Sequence, residues 1–372
     1  MMRWRPTRTV LYALLAVALS VAMTLVAAEL ALRLLPYNEG LRALAVDADN
    51  PIFRFTPDRT AVWSEGWDFA IVNTVHVNND GFVNDQDYDP AATTPLFAVI
   101  GDSYVEAGIV PYEETLQGRL QRAIGARGRV YSFAASGAGL SQYLVWARYA
   151  RERYRPGGYV FVIIGNDFAE SLHEREHSPG FHRFERQPDG GAVLRRVDYE
   201  PSPTRRVLRH SALAMYLITN VKVQRLLDLD VQNLGERDRR WVANAPAAEP
   251  AAVLAEFRWA VLRFLELLPE ATGVEPSAIV LVIDGFRPEM YGPAEALALA
   301  EGSTWGEMRA YLAHEARARG VAVVDMHPVF TQRYARDGRR FEFPTDSHWN
   351  GEGHGAAADA VSGTDAFRRL FP

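Results

Sequence analysis

LFAVIGDSYVE, residues 96–106, is the stretch on which the fold reading turns. Its first part, LFAVIG (96–101), is a short apolar run ending in glycine, the form of a parallel strand buried on both faces. Working outward, EETLQGRLQRAIG (113–125) has helical periodicity and VYSFA (130–134) reads as a second strand. LSQYLVWARYARERY (140–154) is an amphipathic helix stopped by Pro156-Gly157-Gly158, and YVFVIIG (159–165) is a third strand. Beyond residue 275 the rhythm resumes: AIVLVIDG (278–285) and VAVVDMH (321–327) are strands, with the helix WGEMRAYLAHEARARG (305–320) between them. The C-terminus reads as helical from Gly353. Strands alternating with helices imply a parallel sheet covered on both faces. The expected fold is α/β, a three-layer α/β/α domain with a doubly wound parallel sheet over residues 96–372.

The alternation breaks over residues 168–275, which we read as an insertion. It holds a polar hairpin around Pro188-Asp189-Gly190-Gly191 and helix-like stretches near 205–228 and 248–269. Residues 37–95 are turn-rich and are expected to form an extension packed on the core. Within them VNTVHVNNDGFVND alternates like a strand and carries the turn signal Asn79-Asp80-Gly81.

The first 36 residues read as a membrane anchor or uncleaved signal. Arg3, Arg5 and Arg8 precede an uncharged stretch of 19 residues, 10–28. About 20 apolar residues span a bilayer, whereas a secretory signal has an apolar region of roughly 7–15. LVAA (25–28) is a weak cleavage site, and an uncleaved helix is the favoured reading. The arginines should stay cytoplasmic, which puts the remainder in a periplasmic or extracellular space.

Composition narrows the chemistry. The 372 residues include no cysteine, which excludes disulfides, thiolate metal sites and a cysteine nucleophile. The hydrophobic share of 48% suffices for a substantial core. With 40 basic and 46 acidic residues the net charge is −6, without the basic excess of a nucleic-acid binder. Lys222 is the one lysine, a compositional bias to which no function is attached.

In doubly wound sheets the ligand crevice lies outside the C-terminal strand ends. Three strands end there in polar groups: Gly101-Asp102-Ser103, Ala135-Ser136-Gly137 and Gly165-Asn166-Asp167. Acyl transfer through serine needs a hydroxyl, a base oriented by a third group, and donors for the developing oxyanion. Ser103 supplies the hydroxyl, and TDSHWNGEGH (345–354) supplies Asp346 and His348. In GDSYVE (101–106), ASGAG (135–139), GND (165–167) and DSHWNGEGH (346–354), four blocks in order, the chain resembles the SGNH hydrolases, also called the GDSL esterase/lipase family, in a membrane-anchored bacterial form.

The resemblance implies an SGNH/flavodoxin-like fold and a serine esterase or O-acyltransferase needing no metal or organic cofactor. Its substrate would be an acyl ester on a glycan or lipid, an acetylated polysaccharide among them. Ser103 would be the nucleophile, His348 the general base and Asp346 its orienting acid. The backbone N–H groups of Ser103 and Gly137 and the side-chain amide of Asn166 would form the oxyanion hole. Two spacings depart from the family's usual form. Gly165 directly precedes Asn166, and one residue instead of two separates Asp346 from His348; some membrane-anchored relatives and polysaccharide O-acetyl-transfer proteins share that shorter form. Asp102 reads as a helix cap or hydrogen-bond acceptor and His354 as structural.

Competing readings concern the same residues. Ser103 alone could be a helix cap, and Gly137 and Gly139 plain turn glycines. His173-Glu174-Arg175-Glu176-His177 matches the H-E-x-x-H pattern of zinc proteases. The extended form of that motif needs a histidine where Arg183 stands, and Pro179 would end a helix there, so a charged loop at the site rim is the favoured reading. A non-catalytic domain binding a glycan or partner is the third class, against which the intact Ser/His/Asp/Asn/Gly set argues.

Overall fold

A computed structural model describes residues 8–223 and 241–372. Five strands form one parallel sheet: β1 (Leu96–Gly101), β2 (Arg129–Ala134), β3 (Gly158–Ile163), β4 (Ile279–Ile283) and β5 (Ala322–Asp325). Their spatial order is β5-β4-β3-β1-β2. The chain therefore winds from β1 outward to β2, then returns past β1 to β3 and continues the other way. That reversal opens a crevice between the C-terminal ends of β1 and β3, the topological switch point of a doubly wound sheet. Every residue of β1, β3 and β4 is buried, which is why these strands read as unbroken apolar runs.

Successive side chains of a strand point to opposite faces, and both faces are filled. On one, Val99, Val160, Val162, Val280 and Val282 form a continuous core with Leu116, Leu120, Ala356, Ala357 and Phe367. The helices covering this face are Leu116–Ile124, Gly351–Ser362 and Asp365–Leu370. On the other, Phe161 meets Phe264 edge-on with ring centroids 5.6 Å apart, and Tyr159 donates to the Thr272 carbonyl at 3.2 Å. Here the covering helices are Leu140–Tyr154, Ala251–Thr272 and Thr304–Ala318. Burying each large side chain in these layers contributes about 1.5–3 kcal/mol, so layers and sheet stabilise one another. The architecture is the expected three-layer α/β/α.

Helix boundaries follow from their caps. The periodicity beginning at 113 becomes a single 3₁₀ turn, Tyr112–Glu114, before the α-helix, because Thr115 caps that helix by accepting the Gly118 N–H at 3.1 Å. The polar hairpin forms as His182–Arg186 paired with Ala192–Arg196. The apolar stretch near 248–269 becomes Ala251–Thr272, the crossover helix between β3 and β4. The stretch near 205–228 is broken into Pro203–Leu208, Ala212–Met215 and a π-helical turn, Tyr216–Asn220; its last residues, from 224, lie outside the described residues.

The chain divides into two compact units. The larger comprises Leu41–Thr60, Val75–Glu200 and Val231–Pro372 and contains the whole sheet. The smaller comprises Met1–Gly40, Ala61–Thr74 and Pro201–Asp230. Within it the helix Arg8–Leu32 is long and apolar enough to cross a membrane, and its apolar window is unburied. Its last turn is built into the unit: the Glu29 carboxylate accepts from Ser211 Oγ at 2.8 Å and from the N–H groups of Ala212 and Leu213 at 3.1 and 2.9 Å. Arg33 donates to Glu29 at 2.8 Å and to the His210 carbonyl at 3.0 Å. Buried Asn220 accepts the Asn38 N–H and donates to Ser64 Oγ, fastening three separate segments.

Candidate active site

At the end of β1 the backbone turns sharply into a four-residue helix, Ser103–Glu106. Glycine is required at 101, since a Cβ there would approach Val105 Cγ2 to 2.5 Å. Asp102 caps the helix, accepting the Tyr104 N–H at 2.9 Å. Ser103 Oγ lies 2.8 Å from His348 Nε2. His348 Nδ1 lies 2.5 Å from Asp346 Oδ1. An ionised carboxylate only accepts, so the Nδ1 proton goes to Asp346 and the bare Nε2 accepts from the Ser103 hydroxyl. That hydroxyl also lies 3.1 Å from Asp102 Oδ2, but its single proton serves one acceptor at a time and the contact to Nε2 is shorter.

Asp346 and His348 lie on the short strand Asp346–Trp349, paired antiparallel with Glu342–Phe343. A buried network holds it against the helix Ser103–Glu106. The Ser347 carbonyl accepts from Tyr104 Oη at 3.0 Å and from Arg287 at 3.2 Å. Arg287 pairs with Asp284 at 2.6 Å, and Asp284 accepts the Trp349 indole N–H at 2.9 Å. Asp284 and Arg287 are both buried. Sequence reasoning missed this group. The signal was present: Asp284-Gly285 follows β4 as Asp102 and Asp167 follow β1 and β3.

Gly137 occupies the turn after β2 with φ +84°, a conformation that favours glycine. Its turn is held from the helix bearing Ser103. Buried Glu106 accepts from the Ser136 N–H and the Ser136 hydroxyl through its two carboxylate oxygens, both at 2.9 Å. Asn166 follows β3, the neighbour of β1 in the sheet. Its Nδ2 donates to Glu170 at 2.9 Å, while its Oδ1 is buried without a hydrogen-bond partner. Asp167 beside it accepts from the Ile164 N–H and Tyr143 Oη and so fixes the strand end. The structure thus links Ser103, His348 and Asp346 directly, ties the Gly137 turn to the Ser103 helix through Glu106, and engages Asn166 through Glu170. Neither glutamate was singled out from the sequence.

Burial dominates the electrostatics. It raises the carboxyls of Asp102 and Asp167 above the ordinary carboxylate range. It pushes Glu106 up to about 7 against the two Ser136 hydrogen bonds, and Glu170 up to about 8, the latter helped by repulsion from Asp102. For His348 burial acts downward, but the hydrogen bond and charge of Asp346, then the charges of Asp102 and Glu106, outweigh it and the result is upward. His354 is different. It is buried, accepts the Leu116 N–H on Nδ1 at 3.1 Å, and is pushed down to about 3. It serves as a neutral structural acceptor.

The H-E-x-x-H segment lies in turns, so His173 and His177 do not share a helix face, although their rings lie 5.4 Å apart. Among the described residues no group of three His, Asp or Glu side chains is arranged to hold a metal ion.

No family model matches the chain, and no curated protein does. The chain is similar to several solved structures. A lipase from a goat rumen metagenome is 12% identical, with 74% of this chain and 99% of the lipase covered and a TM-score of 0.40. An alpha/beta hydrolase from the metagenome of Lake Arreo is 14% identical, covering 76% and 98% at a TM-score of 0.39. A lipolytic protein of the G-D-S-L family from Veillonella parvula is 10% identical, covering 72% and 96% at 0.35.

Proposed function

We propose that this chain is a membrane-anchored serine ester hydrolase or O-acyltransferase of the SGNH type, with its catalytic residues outside the cytoplasm. The observation that carries the reading is the relay from Ser103 Oγ to His348 Nε2 and from His348 Nδ1 to Asp346, at 2.8 and 2.5 Å, at the β1 end of the sheet. A hydroxyl so paired loses its proton to the imidazole as it attacks an ester carbonyl, and the carboxylate stabilises the imidazolium formed. The oxyanion of the tetrahedral intermediate accepts from the N–H groups of Ser103 and Gly137 and from the amide of Asn166. His348 then protonates the departing alkoxide, leaving the acyl group on Ser103. Water, or a sugar hydroxyl, deprotonated by the same imidazole, removes it. An acylated glycan or lipid is the proposed substrate class.

The anchor reading draws support from the smaller unit. The helix runs unbroken through residues 25–28, the weak cleavage site, and its following turn is fastened by Glu29 and Arg33. Treatment of the purified protein with a fluorophosphonate, followed by peptide mapping, tests the nucleophile. Modification at Ser103 that is lost in Ser103→Ala and His348→Ala is expected; labelling elsewhere, or none, would overturn the assignment. A screen of p-nitrophenyl acetate, butyrate and longer esters, with and without glycan acceptors, separates hydrolysis from transfer.

A further inference from the structure

The smaller unit exposes apolar side chains close to where the long apolar helix ends. Leu34, Trp67 and Val207 are 87%, 71% and 71% exposed, and Leu35, Leu208 and Leu217 are also exposed. Solvated proteins rarely gather such residues without a partner. Three contacts bring them together. Arg33, beside Leu34, donates to the carbonyl of His210, two residues beyond Leu208. Glu29 holds Ser211. Tyr216, beside Leu217, donates through its hydroxyl to the carbonyl of Trp67 at 2.6 Å.

The helix length sets the depth of this group. A hydrocarbon core of about 30 Å takes about 20 helical residues. Counted from Val10, the first apolar residue after Arg8, such a span ends at Glu29. Arg33 and the residues that it and Glu29 bond, His210 to Leu213, then lie within about one helical turn, roughly 5 Å, of the hydrocarbon boundary. Tryptophan, tyrosine and arginine interleaved with leucine and valine are the residues that settle at headgroup depth.

We infer that Leu34, Leu35, Trp67, Val207 and Leu208 form a platform that lies in the headgroup layer of the membrane crossed by Arg8–Leu32. The inference rests on the anchor reading and goes beyond it: the bilayer surface is a second binding partner of the folded unit. The occupant is lipid because the patch is continuous with the apolar helix. The apolar side chains enter the acyl boundary.

The chain has no native cysteine, so single cysteines report position without background. Full-length Leu19→Cys, Trp67→Cys, Val207→Cys, Leu34→Cys and Val193→Cys proteins are spin-labelled and reconstituted in phosphatidylethanolamine–phosphatidylglycerol vesicles. Leu19 lies in the apolar helix, and Val193 is exposed on the polar hairpin of the larger unit. Collisions with oxygen and with a water-soluble nickel chelate give the depth of each label. Position 19 should be shielded from nickel and position 193 open to it, with positions 34, 67 and 207 at headgroup depth. If position 19 is in lipid but 34, 67 and 207 are as open to nickel as 193, the platform is wrong and the anchor stands. If position 19 is itself open to nickel, both fail. Circular dichroism of each labelled protein confirms that the exposed substitutions leave the fold intact, and positions 67 and 207 stand in for each other should either misfold.

Discussion

One carboxylate oxygen of Asp346 accepts two hydrogen bonds from His348, the backbone N–H at 2.8 Å and the ring Nδ1 at 2.5 Å. The first closes a tight turn across the single intervening residue, and the second aims the ring so that Nε2 reaches Ser103. This geometry is how an acid only two residues before its histidine can orient it.

Asp346→Asn retains an oxygen for the backbone N–H but no longer favours the tautomer with its proton on Nδ1. Turnover should fall by up to about 10⁴-fold, the loss known for the same change in a serine-protease triad. Ester hydrolysis measured with circular dichroism as a folding control checks this. Full activity of the folded variant would remove Asp346 from the relay.

Activity should rise with pH through one ionisation whose midpoint lies above the ordinary histidine value of 6.5, because protonated His348 cannot accept the Ser103 proton. Glu106 is one of the charges that raise His348. Glu106→Gln should therefore move the midpoint of the kcat/KM profile to lower pH. An unmoved midpoint would show that its charge does not reach the imidazole.

In the proposed mechanism Asn166→Ala removes one donor for the developing oxyanion, and it should lower kcat by roughly 100–1000-fold with little change in KM. Ester kinetics on the folded variant decide it. Glu170→Gln, which keeps an acceptor for Asn166 Nδ2, should retain far more activity than Glu170→Ala.

The Glu106 carboxyl rises from 4.5 to about 7 on folding, so its stabilising contribution is complete below pH 4.5 and is lost as pH rises through about 7. The difference in unfolding free energy between wild type and Glu106→Gln should change across that window and level off on either side. A shift of this size corresponds to on the order of 3 kcal/mol. Urea unfolding at pH 4, 6 and 8 measures it.

Arg287→Met leaves Asp284 buried beside Trp349 without its ion-pair partner, and removing one member of a buried pair costs about 3–5 kcal/mol. Thermal unfolding should show that loss. Because Arg287 also holds the Ser347 carbonyl, kcat should fall even at temperatures where the variant is folded.

What the sequence by itself determined is local. LFAVIG and YVFVIIG read as buried strands because a strand covered on both faces must be apolar throughout, and the order of Ser103, Asn166, Asp346 and His348 along the chain marked the candidate site. Tertiary structure decided what joins residues far apart in the chain. Ser103 and His348 are 245 residues apart. The strand order that puts β1 beside β3, the grip of Glu106 on Ser136, the Asp284–Arg287–Trp349 support and the hold of Glu29 on Ser211 leave no periodic trace, since each depends on which elements pack together. The helix Ala251–Thr272 and the short helices from Pro203 both read only as helix-like stretches. Only packing assigns the first to a sheet layer, where Phe161 offers a buried face to Phe264, and the second to a separate unit around Glu29.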